Sequence, residues 1–506
     1  MGGFVWGAFI GKYLERWGPR ASCLLGATSL GGGFALASLA LATHNLPLLY
    51  AGGAVWGMSL SLSYVPPVAM LMQWFPDRKG FASGGCILGF GLGSVVAVPF
   101  YGALLRFFRR APERLGSADD VALVNENGRL FAEGREVVVA TMHHVRSWGI
   151  EEGVYAVGTG STGLAETFAV LSVVYFSLMS MSAFVHRFPA PGYAVAVPAP
   201  TTAAAGAAAT PAAAPAPVRA VVVPNVTASV AIRTPQFWIA YCSFGLSITG
   251  AYACLSTGKT MMADSFGIMM PDVVTASFMA TFVALMGAAN LGGRIVWPAV
   301  SDALARRINP ATPLVGRRLT YSLMWGLSPP LYLLTIWSVH ACAAGTGGAL
   351  PLATFMIGIC GVMSSFGGAT ATRPALASDV FGSKYVGIIT AQQLSVVMPA
   401  ALAGPYIASY FREKSLRSSA ISLTEQVDPE RFMHAFGAPL DQLPALLEAK
   451  TVTIARLMEL MPPGTVDPTP FVYDNTLYLC AALQATAFVT NQFLRPVSAD
   501  KHEKQQ

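Results

Sequence analysis

Arg294 is the residue with the clearest chemistry to offer. It stands in the string Asn290-Leu291-Gly292-Gly293-Arg294, within an apolar run that ends only at Ser301-Asp302. At 1.5 Å of rise per residue it lies about 10 Å inside that run. A cation at such depth is costly and usually faces a cavity or a partner. A guanidinium presents a rigid fork of donors that matches a carboxylate in a bidentate pair. The chemistry on offer is therefore capture of a carboxylate away from bulk water. Asn290, one helical turn away, either orients Arg294, meets a substrate oxygen, or satisfies a contact between helices. Tyr64, Gln392 and Gln393, also within apolar runs, are further polar candidates for the same site.

No apolar run pairs a nucleophile with a base, so no catalytic residue is expected and an enzyme is disfavoured. No Cys/His spacing suggests a metal site, and no cofactor is implied. Six of the seven cysteines (Cys23, Cys86, Cys242, Cys254, Cys360 and Cys480) lie in apolar runs, which argues against a disulfide framework. The glycines from Gly89 to Gly93 imitate a nucleotide loop only superficially, because they follow no strand.

The elements that must position Arg294 follow from composition. The chain is 54% hydrophobic and 11% charged over 506 residues, with a mean hydropathy of +0.52. Soluble domains carry about 25% charged residues, so this chain belongs in a lipid bilayer. Its apolar runs are long and continuous, which favours helices over the alternating strands of a barrel. Runs of roughly 17–25 residues fall near 21–43, 48–75, 81–105, 164–186, 236–259, 273–300, 319–342, 349–372, 386–411 and 471–494. Met1–Ile10 reads as part of another span. Residues 189–233 form an Ala/Pro-rich linker, read as cytoplasmic and without ordered structure.

The formal net charge of +6 does not point to nucleic acid, because the basic residues cluster at the ends of apolar runs. Lys12, Arg16 and Arg20, then Arg78 and Lys79, then Arg306, Arg307, Arg317 and Arg318, then Lys384 mark one side as cytoplasmic. The cluster Arg106, Arg109, Arg110 and Arg114 breaks this rule, since it opens a long loop (106–163) on the outer side. A second long outer loop (412–469) carries apolar spacing suited to helices near Leu440–Leu460. Both loops read as surface insertions.

Several strings carry a family resemblance. Gly11-Lys12-Tyr13-Leu14-Glu15-Arg16-Trp17-Gly18-Pro19-Arg20 resembles the loop signature between helices two and three of major facilitator proteins, with Glu15 in the usual Asp place. Trp74-Phe75-Pro76-Asp77-Arg78-Lys79-Gly80-Phe81-Ala82-Ser83-Gly84, preceded by Tyr64-Val65-Pro66-Pro67, looks like helices four and five of oxalate:formate antiporter-like proteins. Asn290–Arg294 with Ser301-Asp302 resembles their helix eight, and Arg373-Pro374-Ala375-Leu376-Ala377-Ser378-Asp379 the end of their helix ten. The resemblance implies an all-α membrane protein, integral and multi-pass, with the major facilitator fold of two six-helix bundles. The expected layout is a bundle over 1–188 that lacks helix one and part of helix two, the linker 189–233, and a second bundle over 234–506.

The resemblance also implies roles. In the antiporters the helix-eight arginine binds substrate, which maps to Arg294. Gly11, Glu15, Arg16, Gly18, Arg20, Asp77, Arg78, Ser301 and Asp302 fall at motif positions suited to a gating latch of ion pairs. A second cation in helix eleven grips oxalate's other carboxylate in that family, and residues 386–411 contain no Lys or Arg. Lys259, near the outer end of helix seven, is the nearest substitute. Monocarboxylate transporters place an aspartate four residues before this arginine, and here it is Asn290. The expected function is alternating-access exchange or facilitated transport of small carboxylates, monocarboxylates before oxalate. The rival is a non-transporting sensor or truncated pseudo-transporter of the same fold. The expected partners are a small organic anion and the lipid bilayer, and the sequence names no protein partner.

Overall fold

A computed structural model describes residues 2–502 apart from 77, 118–120, 127–128, 141–150, 152, 191–192, 194–224, 310–311, 346–347, 449–451 and 463, and no side chain before Trp17. Most of the expected linker lies outside the described residues. Its end is described: Val226 is fully buried, its amide donates to the Phe381 carbonyl, and one helical turn follows at Ala228–Ala231.

The chain begins with α1 (Gly2–Ala42), in reality two helices joined at Gly18. Gly18 has φ +75°, a conformation that costs a side chain about 1–2 kcal/mol. Pro19 then opens the second helix, where its missing amide costs nothing. This is how the Gly-Pro pair of the motif turns the chain back. Next come α2 (Leu46–Trp74), α3 (Lys79–Phe108) and α4 (Leu164–Val185). Asn45 caps α2 by accepting from the Leu48 amide, and α2 runs on through Pro66 and Pro67.

Beyond the linker, α5 (Pro235–Phe266) and α6 (Ala276–Ile308) start on threonine caps, Thr234 and Thr275. They are followed by α7 (Pro313–Ala343), α8 (Leu350–Phe381), α9 (Val386–Leu394) and α10 (Val397–Thr424). The break between α9 and α10 has a cause in sequence. Pro399 has no amide to offer the Ser395 carbonyl, so the ladder switches to short bonds from Ser395 to Gln392 and from Met398 to Ser395. Short helices α11 (Pro429–Phe436) and α12 (Ile454–Met458) precede α13 (Asp474–Gln492).

Eight helical segments among the described residues are long and apolar enough to cross a membrane, with α9 and α10 counted as one. Helices also occupy the other two expected positions, α7 and α13, but fall short of that measure. Arg317, Arg318 and a rank of hydroxyls dilute α7, while α13 has only 19 residues and carries Gln484 and Asn491.

Two features of the outer loops depart from the sequence reading. The described residues between 114 and 156 contain a five-stranded antiparallel sheet of β1 (Arg114–Gly116), β2 (Val124–Glu126), β3 (Arg129–Ala132), β4 (Arg135–Ala140) and β5 (Gly153–Ala156), ordered β1-β5-β4-β3-β2, where the sequence reading expected a surface loop. Thus the all-α description holds for the bundle and not for this insert. Ala132, Val137 and Val154 form its small core. In the second loop, α10 continues to Thr424, well past the expected end of its span, and the Leu440–Leu460 stretch breaks into short helices that close over Leu423, Phe432 and Leu457.

Packing sorts the helices. Helix α1 lies on α2 and α4, while α8 gathers α6 and α7, and α13 packs on α5 and α7. The two sets meet where α3 crosses α6 and α8, and where α9 crosses α1 and α2. Within the second set, a Cβ on Gly293 would strike the Ser364 carbonyl and one on Gly367 would strike that of Asn290. Glycine at both positions lets α6 and α8 touch backbone to backbone, which is how helices gain packing energy where lipid supplies no hydrophobic drive.

Candidate functional site

The meeting of α3 with α6 builds the site. At 100° per residue, Gly80, Gly84, Gly91 and Gly102 lie within about 40° of one another on α3. A Cβ on Gly84 would sit 2.8 Å from the Arg294 carbonyl oxygen and 2.9 Å from Pro298, and one on Gly91 would strike Leu291. Gly102, on the same face further out, has nothing within 4 Å. Val98 on that face is 66% exposed. The facing side of α6 behaves the same way: outward of Leu291, Gly287 also has nothing within 4 Å, and Ala284 and Ala280 are exposed. The two helices are pressed together at their cytoplasmic ends and part toward the outside.

Arg294 sits near the point of divergence. Its Nη1 donates to the Ile87 carbonyl of α3 at 3.0 Å, and its Nε is buried with no hydrogen-bond partner. Tyr64 of α2 and Tyr252 of α5 lie close enough to interact with it electrostatically. Tyr252 in turn sets its ring edge-on to Phe366 at 5.3 Å. The site thus offers a guanidinium using little of its donor capacity, flanked by two phenols from opposite sides of the helix crossing. Tyr252 was not legible, since one tyrosine among small residues in α5 carries no pattern.

The other expected site residues separate. The Asn290 amide donates to the Met363 carbonyl of α8 at 3.4 Å, so of its three readings the helix contact is the one present. Gln393 is buried and Gln392 half-buried; each has one side-chain atom without a partner, and neither bonds to Arg294. Thr390 of the same helix shares a narrow void with Tyr64.

A second layer closes the cytoplasmic end. Asp302 accepts from the Gly80 amide at 2.9 Å and the Phe81 amide at 2.8 Å, capping the first turn of α3 from α6. A carboxylate there also suits the positive end of the helix dipole. Arg317 of α7, buried, bridges Asp302 at 2.6 Å and Asp379 at 3.0 Å, and donates to the Ser301 hydroxyl. Lys79 of α3 completes the network by donating to Asp379 at 3.2 Å and Ser378 at 3.0 Å. Behind it the Ser83 hydroxyl donates to the Ala371 carbonyl. Ser301 and Asp302 were expected here; Lys79 and Arg317 were read only as topology signals, and Asp379 only as a family motif residue.

Arg20 donates to the His186 carbonyl, tying α1 to the end of α4, and Arg78 is exposed. Asp77 and the side chains of Glu15 and Arg16 lie outside the described residues, and of Gly11 only the backbone, within α1, is described. A second arginine also lies at depth: Arg373 stands eight residues inside α8 and is fully buried. It donates to the Ala240 carbonyl at 2.6 Å and stands 4.7 Å over the Phe244 ring, so it faces α5 rather than the crevice.

Comparison with known proteins agrees with this architecture. The sequence model of the Major Facilitator Superfamily matches residues 1–110. Apicoplast pyruvate carrier 1 of Toxoplasma gondii is 24% identical over 386 residues, covering 73% of this chain and 60% of the carrier. The oxalate:formate antiporter of Oxalobacter formigenes is 22% identical over 377 residues, covering 74% of this chain and 65% of the antiporter. The chain therefore spans about two thirds or less of the length of these two relatives. A crystal structure of the Escherichia coli fucose:proton symporter, a point variant, superimposes with a TM-score of 0.52 at 11% identity, over 98% of this chain and 88% of that one. Residues 1–110 thus match the Major Facilitator Superfamily in sequence, and along its length the chain has the multi-helix fold of a major facilitator protein, with eight helical segments among the described residues fit to cross a membrane.

Proposed function

We propose that the chain carries small organic anions, monocarboxylates before oxalate, by alternating access between its two sets of helices. The observation that carries this reading is Arg294, half-buried at the α3–α6 crossing with an unpartnered Nε and two tyrosines beside it. A carboxylate entering the outward crevice exchanges the neutral Ile87 carbonyl for an ion pair that the guanidinium fork can hold through two parallel hydrogen bonds. Tyr64 and Tyr252 then supply hydroxyls for a second oxygen of the anion. Loss of the bond to Ile87 frees α3 from α6 at the level of the substrate, while the Asp302–Arg317–Asp379–Lys79 network resists opening below. Rocking the halves closes the crevice above and parts this network.

Substrate size follows from the cations. Helix α9 faces α2 with Val386, Gly387 and Thr390 and carries no Lys or Arg. Lys259 lies two turns outward of Tyr252, about 10 Å away along α5, too far for one oxalate to span. The relatives named for pyruvate and for oxalate and formate support the substrate class. Exchange of labelled pyruvate, lactate, formate and oxalate into proteoliposomes tests the selectivity. The expected result is saturable uptake of monocarboxylates with oxalate a poor competitor; preference for oxalate refutes the single-carboxylate reading.

A further inference from the structure

The outer arginine cluster that defies the positive-inside rule gains a meaning from where α3 and α6 part. On α3, Arg106 falls within about 40° of Gly102, on the face that is open to the crevice, and Arg109 follows just past the end of the helix. Phe107, 80% exposed, points the opposite way. Both arginines are exposed. On α5, Lys259 stands seven residues beyond Tyr252, within about 20° of the same face, and is exposed. Neither Lys259 nor Arg106 makes an ion pair with any described carboxylate. Nearby acidic groups are committed elsewhere: Asp264 to Arg412 at 2.7 Å, Glu113 to Arg135 at 3.3 Å and Glu151 to Arg114 at 3.1 Å. Asp272, in the exposed turn after α5, is the remaining carboxylate at this end of the helix.

We infer that Lys259 and Arg106 form an outer station that draws a carboxylate into the crevice and hands it down to Arg294. This rests on the anion-carrier reading above. Like charges lining a cleft with low-dielectric walls focus the field and raise the local concentration of an oppositely charged ligand. Lys259 gives the anion a resting point two turns above Tyr252, and Arg106 gives it a wider mouth. Such a station lowers the external KM without touching the step that moves the helices. It also makes capture sensitive to ionic strength, since an exposed charge is screened over about 8–10 Å at ordinary salt.

The test is initial uptake of labelled pyruvate into zwitterionic phosphatidylcholine vesicles at low and high salt, for wild type, Lys259→Gln, Lys259→Arg and Arg106→Gln. At low salt the two glutamine variants should raise the external KM about three- to tenfold, with maximal rate within about twofold. Their salt dependence should flatten, and Lys259→Arg should restore both constants. The KM for internal exchange substrate should stay unchanged in all. Unaltered external KM and salt slope in both glutamine variants would overturn the station while leaving Arg294 standing. An effect that appears only in vesicles containing phosphatidylglycerol would reassign the cluster to lipid headgroups. A wild type that takes up no carboxylate would remove both readings together.

Discussion

At the scale of single residues, one guanidinium carries the account and its neighbours are sorted by what they touch. Arg294 could be picked out because charge inside an apolar run is rare, and rarity is a signal that needs no structure. Asn290 could not be assigned, because an amide one turn away fits a ligand and a helix contact equally well in sequence. Its bond to the Met363 carbonyl is long, 3.4 Å. Asn290→Ala should therefore leave the substrate KM within about twofold and cost about 0.6 kcal/mol of stability, as interhelical hydrogen bonds in membranes do. Parallel KM and thermal-unfolding measurements check this; a large KM rise with unchanged stability would return Asn290 to the site. Arg373 escaped notice for a plain reason. Its family motif placed it in the loop end of helix ten, and only the structure shows α8 running on to Phe381.

At the scale of elements, the latch shows what sequence reading reaches and where it stops. Ser301 and Asp302 were recognisable as a motif, but their partners come from three other helices. Lys79 and Arg317 each sit near a helix end where positive-inside topology already explains a basic residue and hides a second role, while Asp379 was visible only as part of a family string. The network makes a prediction about access. Ser83 lies fully buried behind it. A Ser83→Cys reporter should react at least about tenfold faster with an aqueous maleimide applied from the cytoplasmic side once Asp302→Asn or Lys79→Gln is introduced, a shift of about 1.4 kcal/mol in opening. An unchanged labelling rate would mean the ion pairs do not hold this end shut. The sheet insert was readable in principle. Arg129–Ala132 and the Val-rich Arg135–Ala140 flank Glu133-Gly134, whose φ values of +51° and +73° are those of a tight hairpin turn. Gly134→Val should destabilise that hairpin by about 1–2 kcal/mol, seen as faster proteolysis within 114–156 while transport persists. Equal protection would place the turn under no such constraint.

At the scale of the whole molecule, composition and run length were enough for a helical membrane protein, and the motifs pointed to the fold that the structure shares with major facilitator proteins. What they could not supply is the state of the molecule. Pressed together near Gly84 and apart near Gly102, α3 and α6 leave a crevice at one end of the bundle, and that comes from glycine contacts rather than glycine positions. The same divergence motivates the outer-station proposal for Arg106, a residue that looked misplaced by topology. The weaker apolarity of α7 and α13 has a similar lesson, because helices whose polar residues bond to neighbours do not need to look like lipid. Thus the Arg318 carbonyl and the Ser322 hydroxyl accept from Asn491, and the Ser247 carbonyl accepts from Gln484.

The account stands on the claim that Arg294 receives the carboxylate of a transported anion. The most direct measurement is counterflow of labelled pyruvate in proteoliposomes containing wild type, Arg294→Lys and Arg294→Ala at matched reconstitution. Wild type should exchange. Arg294→Ala should lose roughly two orders of magnitude in uptake, and Arg294→Lys should recover only part of it, because an ammonium cannot reproduce the fork. Exchange by Arg294→Ala at the wild-type rate and KM would contradict the assignment.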